Sequence, residues 1–124
     1  MIIKESAENY LESILMLKSK NGFVRSIDIA NDLSVSKPSV SVAMKNFREE
    51  GYITVDPDGY IDLTDKGLEI AKRVYERHEI IAKVLMSLGV SRETALDDSC
   101  KIEHVISEES FLKIKDFLNK SNNK

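Results

Sequence analysis

Cys100, Glu103 and His104 stand at i, i+3 and i+4, in a chain with one cysteine and only two histidines. On a helix that spacing puts the three side chains on one face, with neighbouring Cβ atoms about 5–6 Å apart. A thiolate, a carboxylate and an imidazole held this way can bridge one divalent ion, and the mixture suits a borderline first-row transition metal better than calcium or magnesium. The other histidine, His78, lies in a long helical segment, and Asn9 and Glu12 lie at i, i+3 in the first one. Each can close around the Cys-Glu-His face. The same residues also admit plainer roles, a lone cysteine packed in a helix and a solvated Arg77-His78-Glu79 face. Spacing by itself leaves both readings open.

The elements that must position these residues follow from periodicity and caps. From Ser6 to Lys20, Ala7, Tyr10, Leu11, Ile14, Leu15 and Leu17 recur at helical spacing, with Ser6 as a candidate N-cap and Asn21-Gly22 as the stop. Ser26 can cap a short second helix to Leu33. After Ser34-Val35-Ser36, a third helix starts with Ser36 as N-cap and Pro38 in its first turn, and ends near Gly51. Two short helices joined by a tight turn read as helix-turn-helix. Tyr52–Val55 and Tyr60–Leu63 then flank Asp56-Pro57-Asp58-Gly59, a hairpin with strong turn chemistry. Thr64 caps a long helix to Leu88, Ser91 starts another to about Ile106, and Ser107 caps the last. The pattern predicts a mainly α protein, with a winged helix-turn-helix DNA-binding domain over 1–63 and an all-helical dimerisation and metal-binding domain over 64–124. The later helices carry more apolar residues than a DNA-reading module needs, which points to a homodimer interface.

The net charge of −3 weighs mildly against nucleic acid as a partner. Local charge matters more, and Lys37, Lys45 and Arg48 cluster within one segment. On the third helix Ser36, Lys37, Pro38, Ser39, Val40, Ser41 and Lys45 are the candidate DNA-facing residues. The small hydroxyls can approach base edges and phosphates, Val40 can touch a thymine methyl, and the lysines supply charge. No apolar run reaches membrane-spanning length and the start lacks a signal peptide, so a cytoplasmic location is expected.

With these elements in place, the chain resembles the metal-dependent regulators typified by the diphtheria toxin repressor and the manganese transport regulator. The resemblance runs from Ala7-Glu8-Asn9-Tyr10-Leu11 through Ile29-Ala30, Pro38-Ser39-Val40 and Arg77-His78, and is most specific at Cys100-Lys101-Ile102-Glu103-His104-Val105-Ile106-Ser107. It implies a metal-activated repressor that binds palindromic double-stranded DNA as a homodimer and controls metal-homeostasis genes. It also implies that Glu12, His78, Glu103 and His104 fall on ligand positions of the manganese-sensing branch. Cys100 stands where that branch has a glutamate and the iron-sensing branch a cysteine, and the softer thiolate tilts the expectation to Fe(II), with Mn(II) next. Asn9 departs from the aspartate or methionine of either branch, and Ala82 replaces a carboxylate of the iron-sensing branch's second site. The chain ends near Lys124, as in the short members that lack an extra C-terminal domain.

Two rivals carry different expectations. A winged-helix regulator that senses redox state or a small molecule through Cys100 keeps DNA binding and loses metal dependence. A metalloenzyme needs an open coordination position, a substrate pocket and a general base. The chain offers no separate acid–base pair and no phosphate loop, so no enzymatic activity is expected.

Overall fold

Short polar side chains cap most of the helix starts in the computed structural model, which describes residues 5–122. The order is α1 (Glu5–Asn21), α2 (Ser26–Leu33), α3 (Lys37–Glu49), β1 (Ile53–Val55), β2 (Ile61–Leu63), α4 (Asp65–Ser87), α5 (Arg92–Ile102) and α6 (Glu108–Asn122). Ser36 Oγ accepts from Ser39 N, Thr64 Oγ1 from Gly67 N, Ser91 Oγ from Thr94 N and Ser107 Oγ from Ser110 N. These bonds satisfy amides that have no intrahelical partner. Two expected caps differ. Ser6 lies inside α1, and the N-cap of α2 is Arg25, whose amide donates to Asp28 Oδ2 at 2.9 Å. The Asp28 carboxylate, three residues on, caps the Arg25 amide, and Ser26 is the first residue of the helix rather than its cap.

The chain divides into two compact units, one up to Lys72 and one from Arg73. In the first, Leu11, Ile14, Val24, Ile29, Val40, Met44, Phe47, Tyr52, Ile53, Ile61 and Ala71 form the core under α1, α2, α3 and the hairpin. The strands pair antiparallel with Ile53 opposite Leu63 and Val55 opposite Ile61. Asp56 Oδ1 closes the connecting turn by accepting from Asp58 N and Tyr60 N, both at 2.9 Å. Thr64 does double duty: besides capping α4, its hydroxyl donates to Gly51 O at 2.6 Å. This draws the first turn of α4 onto the start of β1. At Gly67 a Cβ would lie 2.1 Å from Tyr52 O, so only glycine permits the approach.

The second unit holds the rest of α4 with α5 and α6. Its buried apolar residues include Val74, Ile81, Ala82, Ala95 and Phe111, and beside them Ser99 and Glu103 are buried polar groups. Leu88, Val105, Leu112 and Phe117 are exposed. Among the described residues no helix is long and apolar enough to cross a membrane.

Candidate metal centre and nucleic-acid interface

Ser99 fixes α5 against α4 by donating from Oγ to His78 O at 2.6 Å. The next residue along α5 is Cys100 and the carbonyl belongs to His78 itself, so this one bond brings thiol and imidazole together. His78 Nδ1 lies 3.8 Å from Cys100 Sγ and 2.9 Å from Glu103 Oε2. One ligand atom from each of His78, Cys100 and Glu103 falls within 4.8 Å of the others. Two donors on one ion at ~2.0–2.3 Å are at most about 4.6 Å apart, so a small inward movement closes this cluster on a metal.

Glu103 is the centre of the arrangement. It is 1% exposed, and its Oε1, 3.2 Å from Nε2 of the fully buried His104 ring, lies outside hydrogen-bonding orientation and is otherwise unsatisfied. A buried carboxylate oxygen without a hydrogen bond is costly. A cation satisfies it, and the thiolate, imidazole and carboxylate around it are donors that a first-row ion accepts.

The helical-face argument needs one correction. α5 stops at Ile102, not near Ile106, with Glu103 as C-cap and residues 103–105 in a turn. Glu103 N still donates to Ser99 O, so Cys100 and Glu103 keep their helical relation, whereas His104 lies beyond the helix end and is not part of the three-residue cluster. Among the described residues, His104 therefore reaches the site's neighbourhood through Glu103. Asn9 and Glu12 lie one turn apart on α1 in the first unit, Asn9 half-buried and Glu12 buried.

On α3, Ser36, Lys37, Pro38, Ser39, Ser41 and Lys45 are exposed. Ser36 and Ser39 also share a hydroxyl–hydroxyl bond of 2.7 Å. Val40 corrects the expectation. It is 0% exposed and belongs to the core, so its methyls have no surface to offer a thymine, while Val42, which the sequence reading passed over, is 62% exposed. The helical period holds the signal. Val40, Met44 and Phe47 form the buried stripe, and Val42 stands off it. Arg48 is exposed as well and lines a shallow recess with Ser26, Ser41, Lys45 and Val55.

Residues 3–61 match the model for the N-terminal DNA-binding domain of iron-dependent repressors, and residues 64–123 the model for their metal-binding and dimerisation domain. An uncharacterised helix-turn-helix regulator of Methanocaldococcus jannaschii is 33% identical over 98% of this chain and 99% of its own length. The transcriptional regulator MntR of Lysinibacillus sphaericus is 34% identical over 91% of this chain and 81% of its own. A solved structure of the manganese regulator SloR superposes with a TM-score of 0.79 at 28% identity, covering 96% of this chain. This chain spans 55% of that longer one.

Proposed function

This chain belongs to the iron-dependent repressor family, and from that premise we propose that it is an Fe(II)-activated homodimer that represses metal-homeostasis genes from a palindromic operator. It is a metal-dependent transcriptional repressor with a DNA-binding and a dimerisation domain, of a family of regulators rather than enzymes. The observation that carries the finer reading is the buried Glu103 carboxylate between two imidazoles, within reach of an exposed thiol. His78, Cys100 and Glu103 would hold the metal, with His104 beside them. Asn9 and Glu12 complete the proposed set on the resemblance alone. The thiolate favours Fe(II) over Mn(II). Residues 1–63 would carry DNA recognition, through Ser36, Lys37, Pro38, Ser39, Ser41 and Lys45, and 64–124 dimerisation and metal binding. Recognition helices of a dimer about 34–36 Å apart can enter successive major grooves. The metal acts as effector to the extent that it binds the DNA-competent arrangement better, a coupling of typically 1–3 kcal/mol.

The test is binding to DNA from the protein's own upstream region, anaerobically, with Fe(II), with Mn(II) and with chelator. Tightening of tenfold or more by a metal, about 1.4 kcal/mol, supports the reading, and the stronger metal is the effector. Equal binding in chelator overturns it. One observation favours a second reading, redox sensing: the Cys100 thiol is exposed. Cys100→Ser separates the two. A ligand role predicts weakened or altered metal activation, and a redox switch loses only its response to oxidant.

A further inference from the structure

Arg77 adjoins His78 on α4 and is mostly buried, its side chain 13% exposed. Its Nη1 donates to Ile106 O at 3.0 Å and Glu103 O at 3.4 Å, and its Nη2 to Glu108 Oε2 at 2.6 Å. The guanidinium carbon lies 5.3 Å from the centre of the Phe111 ring. One side chain thus grips both ends of the turn that carries Glu103 and His104, and the first turn of α6 beyond it. The planar fork of an arginine can make these contacts at once, and a lysine ammonium cannot reproduce them.

We propose that Arg77 is the positioning residue of the metal centre, holding the 103–106 turn so that Glu103 faces His78 and Cys100. The inference rests on the metal reading above and adds a residue that cannot itself ligate. The turn needs such a hold. α5 ends at Ile102, so from there on no continuing helix fixes Glu103, and within the turn the backbone bonds are Val105 N and Ile106 N to Ile102 O. Arg77 takes the Glu103 and Ile106 carbonyls instead. Charge and geometry oppose each other here. A fixed cation beside a cation site disfavours the metal electrostatically, so removing it tightens binding unless its positioning matters more.

The experiment is anaerobic titration of the full-length protein with Co(II), read by thiolate-to-cobalt charge-transfer absorption and the d–d bands, together with thermal melting of the metal-free protein. The variants are Arg77→Lys, Arg77→Met and Glu108→Gln. Positioning predicts that Arg77→Lys and Arg77→Met weaken Co(II) on the order of 10–100-fold, the usual cost of losing an outer-shell partner. The d–d bands shift, and Glu108→Gln weakens binding in the same direction by less. Unchanged Co(II) affinity in Arg77→Lys overturns the proposal, whether or not its melting falls, and so does tighter binding in Arg77→Met. Where Arg77→Lys lowers both affinity and melting, the exposed Glu108 decides: weaker binding in Glu108→Gln supports positioning, and wild-type binding overturns it. A wild-type protein with neither a thiolate–cobalt band nor a change in the d–d bands removes the metal reading itself, and the proposal with it.

Discussion

The two units solve the problem of burial differently. In the first, large side chains such as Leu11, Ile14, Ile29, Ile53 and Ile61 are all at most 2% exposed, and the buried polar groups Glu12 and Ser13 accompany this large aliphatic core. In the second, a carboxylate and a serine are buried alongside small residues such as Ala82 and Ala95, while Leu88, Val105, Leu112 and Phe117 face solvent. A unit of the first kind gains its stability from its own packing. The second sets its buried Glu103 carboxylate beside His78, itself near the Cys100 thiol, an arrangement that a bound cation would satisfy.

The largest effect expected from breaking this contrast is at Glu103. Glu103→Ala should weaken Co(II) or Fe(II) binding by about 100-fold or more, roughly 2.7 kcal/mol, since a ligand matters at least as much as its supporting shell. Direct metal titration measures it. Metal-free melting should hold steady or rise, because the variant also removes a buried, incompletely satisfied carboxylate. A fall in melting with unchanged metal affinity would make Glu103 a structural group. Next comes Phe117, 64% exposed on α6. If its face pairs with a second copy, Phe117→Ser should weaken dimerisation by about 1.5–3 kcal/mol, the worth of burying such a side chain. Sedimentation at graded concentrations reads this, and an unmoved monomer–dimer equilibrium puts the interface elsewhere.

Gly67 tests packing in the first unit at a position outside the proposed ligand set. Gly67→Ala forces a Cβ against Tyr52 O, which is backbone and cannot rotate away. A loss of roughly 1–3 kcal/mol is expected by denaturant unfolding, the usual range for overpacking. Co(II) affinity should not change. A changed affinity would couple metal binding to packing at Gly67.

The elements were legible because their ends are written in local chemistry: Ser36, Thr64, Ser91 and Ser107 each cap the helix expected of them. The turn residues Asp56 and Gly59 likewise close the hairpin that the sequence predicts. Proximity of His78 to the Cys100–Glu103 pair was legible only as a possibility, since it depends on Ser99 docking α5 onto α4, a tertiary contact. Two misreadings came from neglecting what competes with a local pattern. Val40 was assigned to DNA by its place in the helix, but the period of Met44 and Phe47 sends it into the core. The i, i+3, i+4 face assumed a helix that continues to His104, and the chain leaves the helix at Ile102. Arg77 shows the opposite failure. Beside His78 and the exposed Glu79 it reads as a solvated charge, and no local signal shows that carbonyls 26 and 29 residues away receive its guanidinium.

The smallest effect tests whether the effector unit is formed before metal arrives. Ser91 Oγ caps α5 at its N-terminal end, and Cys100 and Glu103 lie at the other. Loss of such a cap costs about 1 kcal/mol wherever the helix is already formed. Ala95 is fully buried within one turn of the cap, and Ser99 ties the middle of α5 to α4, so packing rather than an ion is what holds this helix. Ser91→Ala should therefore lower metal-free melting and leave Co(II) affinity where it was. Had metal binding been needed to fold α5, the same 1 kcal/mol would surface instead as about fivefold weaker binding with unchanged metal-free melting. Ser36→Ala, the matching cap loss in the first unit, should cost about as much in melting and nothing in metal affinity under either mechanism.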